Sequence, residues 1–418
     1  MGSSSSIEPG ISRRALLGLA AAGTAATAVG VRMPAARAAT GGGTEQYGAD
    51  SVAFYGPHQA GIATPAPARL SFAAFDLLAT AGRGELAGLL RRWSDAAARM
   101  TRGLSPEAVV ESPAQPPADS GEALGMPPCR LTVTFGVGPG VFDGRFGLAG
   151  LRPAGLAPVP PMAGDALDPA RSGGDLMVQA CAEDAMVSYH AVRHLARLAA
   201  GVATVRWQQQ GFGAIARTSP SPQTPRNLFG MKDGTDNPTA SDAYFDDTVS
   251  VPATAGPAWL VGGSYLLVRR IQMHLEKWDA SSLHEQQDVI GRYKDSGAPL
   301  SGGVEHTPPD FSARGPRGGL LIPVHAHVRL AHPENNGGIR IRRRGYSFDD
   351  GWDPATGTAN AGLFFLGYAA DLQRQLVPLL RRLTTHDDLN EYVTHTASAV
   401  FAVLPGAAPG GWVGETLF

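Results

Sequence analysis

The chain has 418 residues, 43% of them hydrophobic, with 35 Lys and Arg against 37 Asp and Glu and a formal net charge of −2. A near-neutral balance with only one dense basic cluster argues against a nucleic-acid binder, and the length accommodates two domain-sized cores at roughly 100–200 residues each. The 53 glycines and 33 prolines follow no repeat and therefore mark loops, not a collagen-like fibre.

Near the N-terminus, Arg13-Arg14 precede Leu16-Leu17, an apolar run to Val31 and the small-residue box Ala36-Arg37-Ala38. This is a twin-arginine export pattern, so residues 1–38 read as a leader cleaved after Ala38. Its Ala, Gly and Thr content is too weakly apolar for a permanent membrane span. The expected destination is the cell envelope or the exterior. That route carries folded proteins, commonly with a cofactor already loaded, which raises the expectation of one here. Residues 39–50 form a polar linker.

Periodicity then predicts a strand over 70–80 and an amphipathic helix over 84–100, with Leu86, Leu89, Leu90 and Trp93 on one stripe. Residues 104–126, rich in Pro, Ser and acids, read as a surface excursion. Strands follow at 130–137 and 175–182, a helix at 184–199 and a strand at 202–210. This β-α-β, β-α-β order is a ferredoxin-like plan. A second half repeats it, with a strand at 264–271, helices at 273–280 and 282–293, strands at 327–330 and 362–369, a helix at 372–384 and a strand at 397–403. The fold class is α+β, with two ferredoxin-like domains of antiparallel sheet over 51–217 and 227–418. A Pro/Ser/Thr-rich linker, 218–226, joins them.

Two stretches carry the chemistry. In 227–238, Gly230, Gly234 and Asn237-Pro238 make a tight turn from which Asp233 and Asp236 project. It is either a plain Asx-turn or an acidic loop, and it lacks the ligand spacing of a calcium-binding EF-hand. In 325–347, His325, His327 and His332 are followed, after Gly337-Gly338, by Arg340, Arg342, Arg343 and Arg344. The alternation over 325–330 places His325, His327 and Arg329 on one face of a strand, while 340–348 is a second strand or an irregular segment. The histidines fit a His-x-His copper or zinc site completed from elsewhere, one haem ligand, or an exposed basic hairpin. Cys129 and Cys181 allow one disulfide, but folding in a reducing compartment favours two unconnected buried thiols.

The sequence Gly230-Met231-Lys232-Asp233-Gly234, followed by Thr-Asp-Asn-Pro, resembles the GxxDG signature of the dye-decolourising (DyP-type) haem peroxidases. YGPHQAGI at Tyr55, GGDLMVQACAED at Gly173, IGRYKDSGAPL at Ile290, AHVRLAHP at Ala326, RRRGYSF at Arg342, GLFFLGY at Gly362 and LNEYVTH at Leu389 match in the same order. With the twin-arginine signal, the chain is similar to the exported A-type branch. The resemblance implies the DyP-type fold and one haem b per chain, held mainly by the second domain. It also implies reduction of hydrogen peroxide, with dyes, phenols or metal ions oxidised in one-electron steps through a ferryl intermediate. His327 would be the proximal iron ligand, with His325 the alternative, and Glu391 its acidic partner. Asp233 and Arg343 would form the distal pair, and the family divides over which of them dominates peroxide cleavage. Gly234, Thr235, Arg292, Leu363 and Phe365 would border the haem, Arg292 toward a propionate and the two apolar residues keeping the distal side dry. Some relatives carry an Asn where this chain has Gly345, so that donor is lacking. Electrons would leave through aromatics drawn from Trp207, Trp259, Trp278, Trp352, Tyr346 and Tyr392. A second reading is a non-peroxidase haem or iron-uptake component, deferrochelatase-like, with iron-transport partners. A copper or zinc binder without haem is a third.

Overall fold

The computed structural model describes residues 50–108, 112–213 and 223–418. The expected leader over 1–38, the linker after it as far as residue 49, and residues 218–222 of the second linker lie outside the described residues.

The first half follows the expected order. Strand β1 (Arg69–Leu77) leads into helix α1 (Arg83–Met100) and strand β2 (Thr132–Val137). Strand β3 (Leu176–Ala182), helix α2 (Ala185–Leu198) and strand β4 (Ala203–Phe212) come next. On α1 the stripe Leu86, Leu89, Leu90 and Trp93 is fully buried, each side chain contributing roughly 1.5–3 kcal/mol. Trp93 stacks on Phe135 of β2, with ring centroids 5.5 Å apart. Its indole N–H donates to Leu195 O at 2.8 Å, so α1 is tied to α2. Asp184 caps α2, its carboxylate accepting from the amides of Met186 and Val187.

The second half is less regular than the sequence suggests. A short helix α3 (Phe245–Val249) precedes strand β5 (Ser264–Met273), helices α4 (Leu275–Ala280) and α5 (Leu283–Ile290), and, after a long irregular stretch, helix α6 (His327–Ala331). Then come β6 (Arg342–Arg343), β7 (Tyr346–Asp353), β8 (Thr358–Ala369), a π-helical turn (Leu372–Leu376), α7 (Val377–His386) and β9 (Val393–Val403). Helix α5 stops three residues short of the expected 293, because Gly291 turns left-handed at φ 89°. A Cβ at Gly291 would lie 2.6 Å from Val328, so the glycine also admits α6. The expected strand over 327–330 is a correction: that segment is α6. Five or six residues are too few to separate a period of 2 from one of 3.6.

Among the described residues nine strands form one sheet in the order β5-β9-β2-β3-β1-β4-β7-β8-β6, and a further β5–β8 pairing closes it into a barrel. The two halves therefore share strand hydrogen bonds, through β2–β9 and β4–β7. On β1, Leu70, Phe72 and Ala74 face the barrel interior with Trp207, Phe364 and Phe401. Ala73, Phe75 and Leu77 face the outer core with α1 and α2, the period-2 alternation of a two-sided strand. Cys129 and Cys181 are thiols. Cys181 is buried in the barrel, whereas Cys129 is only half-buried, so the expectation of buried thiols holds in full for Cys181 alone.

Candidate active site

A cavity of about 260 Å3 lies outside the barrel wall, between the outer faces of β5, β8 and β9 and the helices α6 and α7. Its sheet side presents Ile271, Leu363, Phe365 and Val393, and its helix side Leu379, Leu380, Leu383 and His327. His327 opens α6, and its Nδ1 donates to Asp387 Oδ2 at 2.6 Å. That leaves Nε2 as the ring nitrogen able to act on a ligand. Burial pushes the imidazole down, while the charge and hydrogen bond of Asp387 push it up by more, so its pKa lies above the ordinary histidine value. The Asp387 side chain is 3% exposed. Its other oxygen accepts from Leu389 N at 2.9 Å, capping the turn Asp388–Glu391.

Glu391 does not fill the role expected of it. Its carboxylate is 59% exposed and pairs with Lys277 at 2.7 Å, on the outer side of the turn whose cap faces His327. The signal for Asp387 was present in the sequence, an Asp-Asp pair at a helix end of the kind that caps a following turn. His325 is exposed and does not line the cavity, so the His-x-His pair does not converge. Among the described residues, no three His, Cys, Asp or Glu side chains form a ready metal centre.

Asp233, Gly234 and Thr235 border the same cavity, as does Arg343. Asp233 Oδ1 and Arg343 Nη1 are 4.0 Å apart, each side chain about a third exposed. The three consecutive arginines separate by strand alternation. Arg342 and Arg344 turn inward, their guanidiniums donating to Pro238 O and Thr64 O, and Arg343 turns to the cavity. One edge of Arg343 pairs with Gly367 of β8. On the other edge the Asn237 carboxamide substitutes for a strand, accepting from Arg343 N at 2.9 Å and donating to Arg343 O at 2.8 Å. The guanidinium donates to Thr235 O at 2.8 Å. The Gly234-Thr235 turn thus fixes the arginine, while Asn237, which the sequence reading left as turn material, holds its backbone. A Cβ at Gly345 would meet Leu363 Cδ1 at 3.0 Å, so the space a longer side chain would occupy belongs to Leu363.

The cavity rim is cationic. Arg292 is 8% exposed and donates to Gly297 O and Glu305 O, and burial lowers its pKa against the pull of Asp236 and Glu305. Arg340 and His332, singled out in the basic stretch but given no specific role there, line the rim around Asp236, at 3.7 and 4.0 Å from its carboxylate. Asp236 is a non-glycine residue at φ 53°, a conformation that Asp tolerates better than most.

Behind the turn, Glu305 accepts from Lys232 and from the Thr235 hydroxyl. Burial pushes its carboxyl up, and the hydrogen bonds of Lys232, Thr224 and Thr235 bring it down to about 2. A depressed carboxylate stabilises the fold above its unfolded value of 4.5, and that contribution is lost as pH falls to about 2. Glu305→Gln is therefore expected to lower stability by up to about 3 kcal/mol near neutral pH. Melting curves across pH should show the gap from wild type narrowing below pH 4.5, and a gap that stays constant with pH would refute the pairing.

Of the six aromatics named as electron exits, Trp352 alone is well exposed, at 66%, in the β7–β8 hairpin. Trp207, Trp259, Trp278, Tyr346 and Tyr392 are buried. Trp278 stacks at 4.3 Å on Phe229, a cavity residue, and meets Tyr392 edge-on at 5.1 Å.

A barrel of ferredoxin-like halves carrying an apolar slot, with a carboxylate-bound imidazole and a carboxylate–guanidinium pair in that slot, defines a haem-enzyme class of site. The chain belongs to the Dyp-type peroxidase family, whose N-terminal model matches residues 59–213 and whose C-terminal model matches residues 224–408. It is 41% identical over 369 residues to a dye-decolorizing peroxidase of Thermobifida fusca, covering 86% of this chain and 83% of the relative. It is 39% identical over 361 residues to a deferrochelatase of Escherichia coli strain K12, covering 84% of each. Ferric DtpA from Streptomyces lividans superimposes with a TM-score of 0.83 at 45% identity, over 89% of this chain and 98% of that one.

Proposed function

We infer that this chain is a haem peroxidase that reduces hydrogen peroxide and oxidises an electron donor. The observation that carries the reading is the joint presence, in one apolar cavity, of the His327–Asp387 pair and the Asp233–Arg343 pair. The donor set fits haem b. A nitrogen ligand is held by its carboxylate partner, two apolar walls match the faces of a flat ring, and Arg292, Arg340 and Arg343 suit the ring's carboxylates. When bound, haem would supply the iron at which peroxide is reduced and would hold the two oxidising equivalents until electrons from a donor discharge them.

The residues of the chain do the rest. Asp387 fixes the tautomer and plane of His327 and makes Nε2 a stronger donor. Asp233 takes a proton from one oxygen of peroxide and returns it to the other, as general acid–base catalysis of O–O cleavage requires. Arg343, permanently charged and clamped along both backbone edges, stabilises the negative charge that develops as the bond breaks. Leu363 and Phe365 keep water from the pair, which strengthens its electrostatics.

The test is turnover of the haem-loaded protein with peroxide and a phenol, an anthraquinone dye or Mn2+ as donor. Sustained donor oxidation is expected, and iron release from haem with the porphyrin intact and no donor oxidation would move the function to that of the deferrochelatase relatives. Glu391→Gln is expected to leave turnover within about twofold, because the side chain faces solvent, whereas Asp387→Asn should cost about 10–100-fold in haem affinity or activity. The Arg13-Arg14 pattern supports export of the folded, haem-loaded chain by the twin-arginine route. Arg13→Lys combined with Arg14→Lys should then hold the protein in the cytoplasm, as cell fractionation would show.

A further inference from the structure

In the first half, α2 carries His190 and His194, one turn apart and both buried. The excursion expected over 104–126 crosses that helix, and in the parts described it brings three carboxylates to the two rings. Asp119 Oδ1 lies 3.5 Å from His190 Nε2, and Glu107 Oε1 lies 3.5 Å from His194 Nε2. Glu122 Oε2 accepts from His190 Nδ1 at 2.9 Å. His194 is fully buried, yet neither of its ring nitrogens has a hydrogen-bond partner. Leaving a buried imidazole unsatisfied costs about 1–3 kcal/mol, so the arrangement calls for a ligand.

We propose that His190 Nε2, His194 Nε2, Asp119 and Glu107 form a structural zinc site that pins the excursion to α2. The two nitrogen–oxygen separations of 3.5 Å are long for hydrogen bonds. They match the edge of a tetrahedron around Zn2+, about 3.4 Å for bonds of about 2.0–2.2 Å. Two His and two carboxylates suit that ion, and the i, i+4 spacing sets both imidazoles on one helix face. Glu122 on His190 Nδ1 is the carboxylate that orients a metal-bound histidine through its other nitrogen. Arg193 pairs with Glu122 and Arg197 donates to Pro117 O, while Asp119 Oδ1 accepts from Gly121 N at 2.8 Å, which holds that carboxylate toward His190. The ring centroids stand 6.0 Å apart, against about 5.2 Å for two imidazoles on one tetrahedral ion. Closure therefore needs a shift of less than about 1 Å, consistent with the absence of a preformed centre among the described residues.

The experiment is zinc titration of the haem-loaded, chelator-treated protein by calorimetry, with zinc and iron counted separately after dialysis. One zinc per chain is expected, with no change in the haem spectrum and a rise in melting temperature. Asp119→Asn, on the excursion, and His194→Ala, on α2, should each weaken binding by at least about tenfold. Zinc should also slow proteolysis within 104–126 in the wild type only. Absence of a stoichiometric zinc overturns the site, and so does zinc bound equally well by wild type and Asp119→Asn, a variant that leaves the helix core intact.

Discussion

His327→Ala is expected to weaken haem binding by at least about 100-fold and to change the spectrum of whatever haem remains. Apart from His332, turned toward Asp236 on the rim, and His395 on β9, the cavity's other contacts to a flat ring are apolar walls and rim charges, which hold it without ligating iron. Loss of an outer partner of a metal-bound histidine typically costs 10–100-fold, and loss of the ligand itself should cost more. The Asp387 carboxylate, 3% exposed, would then be a buried charge without its imidazole. Added imidazole should enter the vacated space, accept the same orientation from Asp387 and restore the wild-type spectrum. His325→Ala should have no such effect, because His325 is exposed and lies outside the cavity. Haem titration of both variants, with and without imidazole, makes the check. A wild-type spectrum in His327→Ala would assign the ligand elsewhere.

What was legible in the sequence was whatever depended on long periodic segments or on a motif's own turn. Helices α1 and α2 and strands β1 to β5 fall within a few residues of where periodicity put them, since their apolar faces run for two turns or more. Helix α6 was misread as a strand because its five residues satisfy either period, and its helical form follows from packing against α7 and Gly291. Closure of the barrel was invisible, since it depends on the β5–β8, β2–β9 and β4–β7 pairings between segments far apart in the chain. At the site, the GxxDG turn and the arginine run are local, and the structure brings Asp233, Arg343 and His327 to one cavity. Alternation along β6 then separates Arg343 from its neighbours. The Asp387-Asp388 pair marks the cap of a short turn in the sequence, but the choice between Asp387 and Glu391 also depends on which side of that turn faces inward, which packing decides. The same holds for the aromatics, where burial rather than residue type sets Trp352 apart.

Arg343→Leu and Asp233→Asn are each expected to slow the reaction with peroxide by about 10²–10³-fold, read as the rate of the Soret change on rapid mixing. The arginine figure is the usual cost of removing a preorganised charge from a dry site, and the aspartate figure that of removing a positioned general acid–base. The two side chains, 4.0 Å apart, serve one event, since the proton moved by Asp233 and the charge held by Arg343 belong to the same breaking bond. The double variant should therefore be little slower than the worse single variant. Full additivity would mean that the two act in separate steps. Arg343→Ala offers a further discrimination, because Thr235 O, the acceptor of the lost guanidinium, remains to receive a small cation. Free guanidinium should recover part of its peroxide rate, and it should do nothing for Asp233→Asn, whose deficit is a proton acceptor and not a charge.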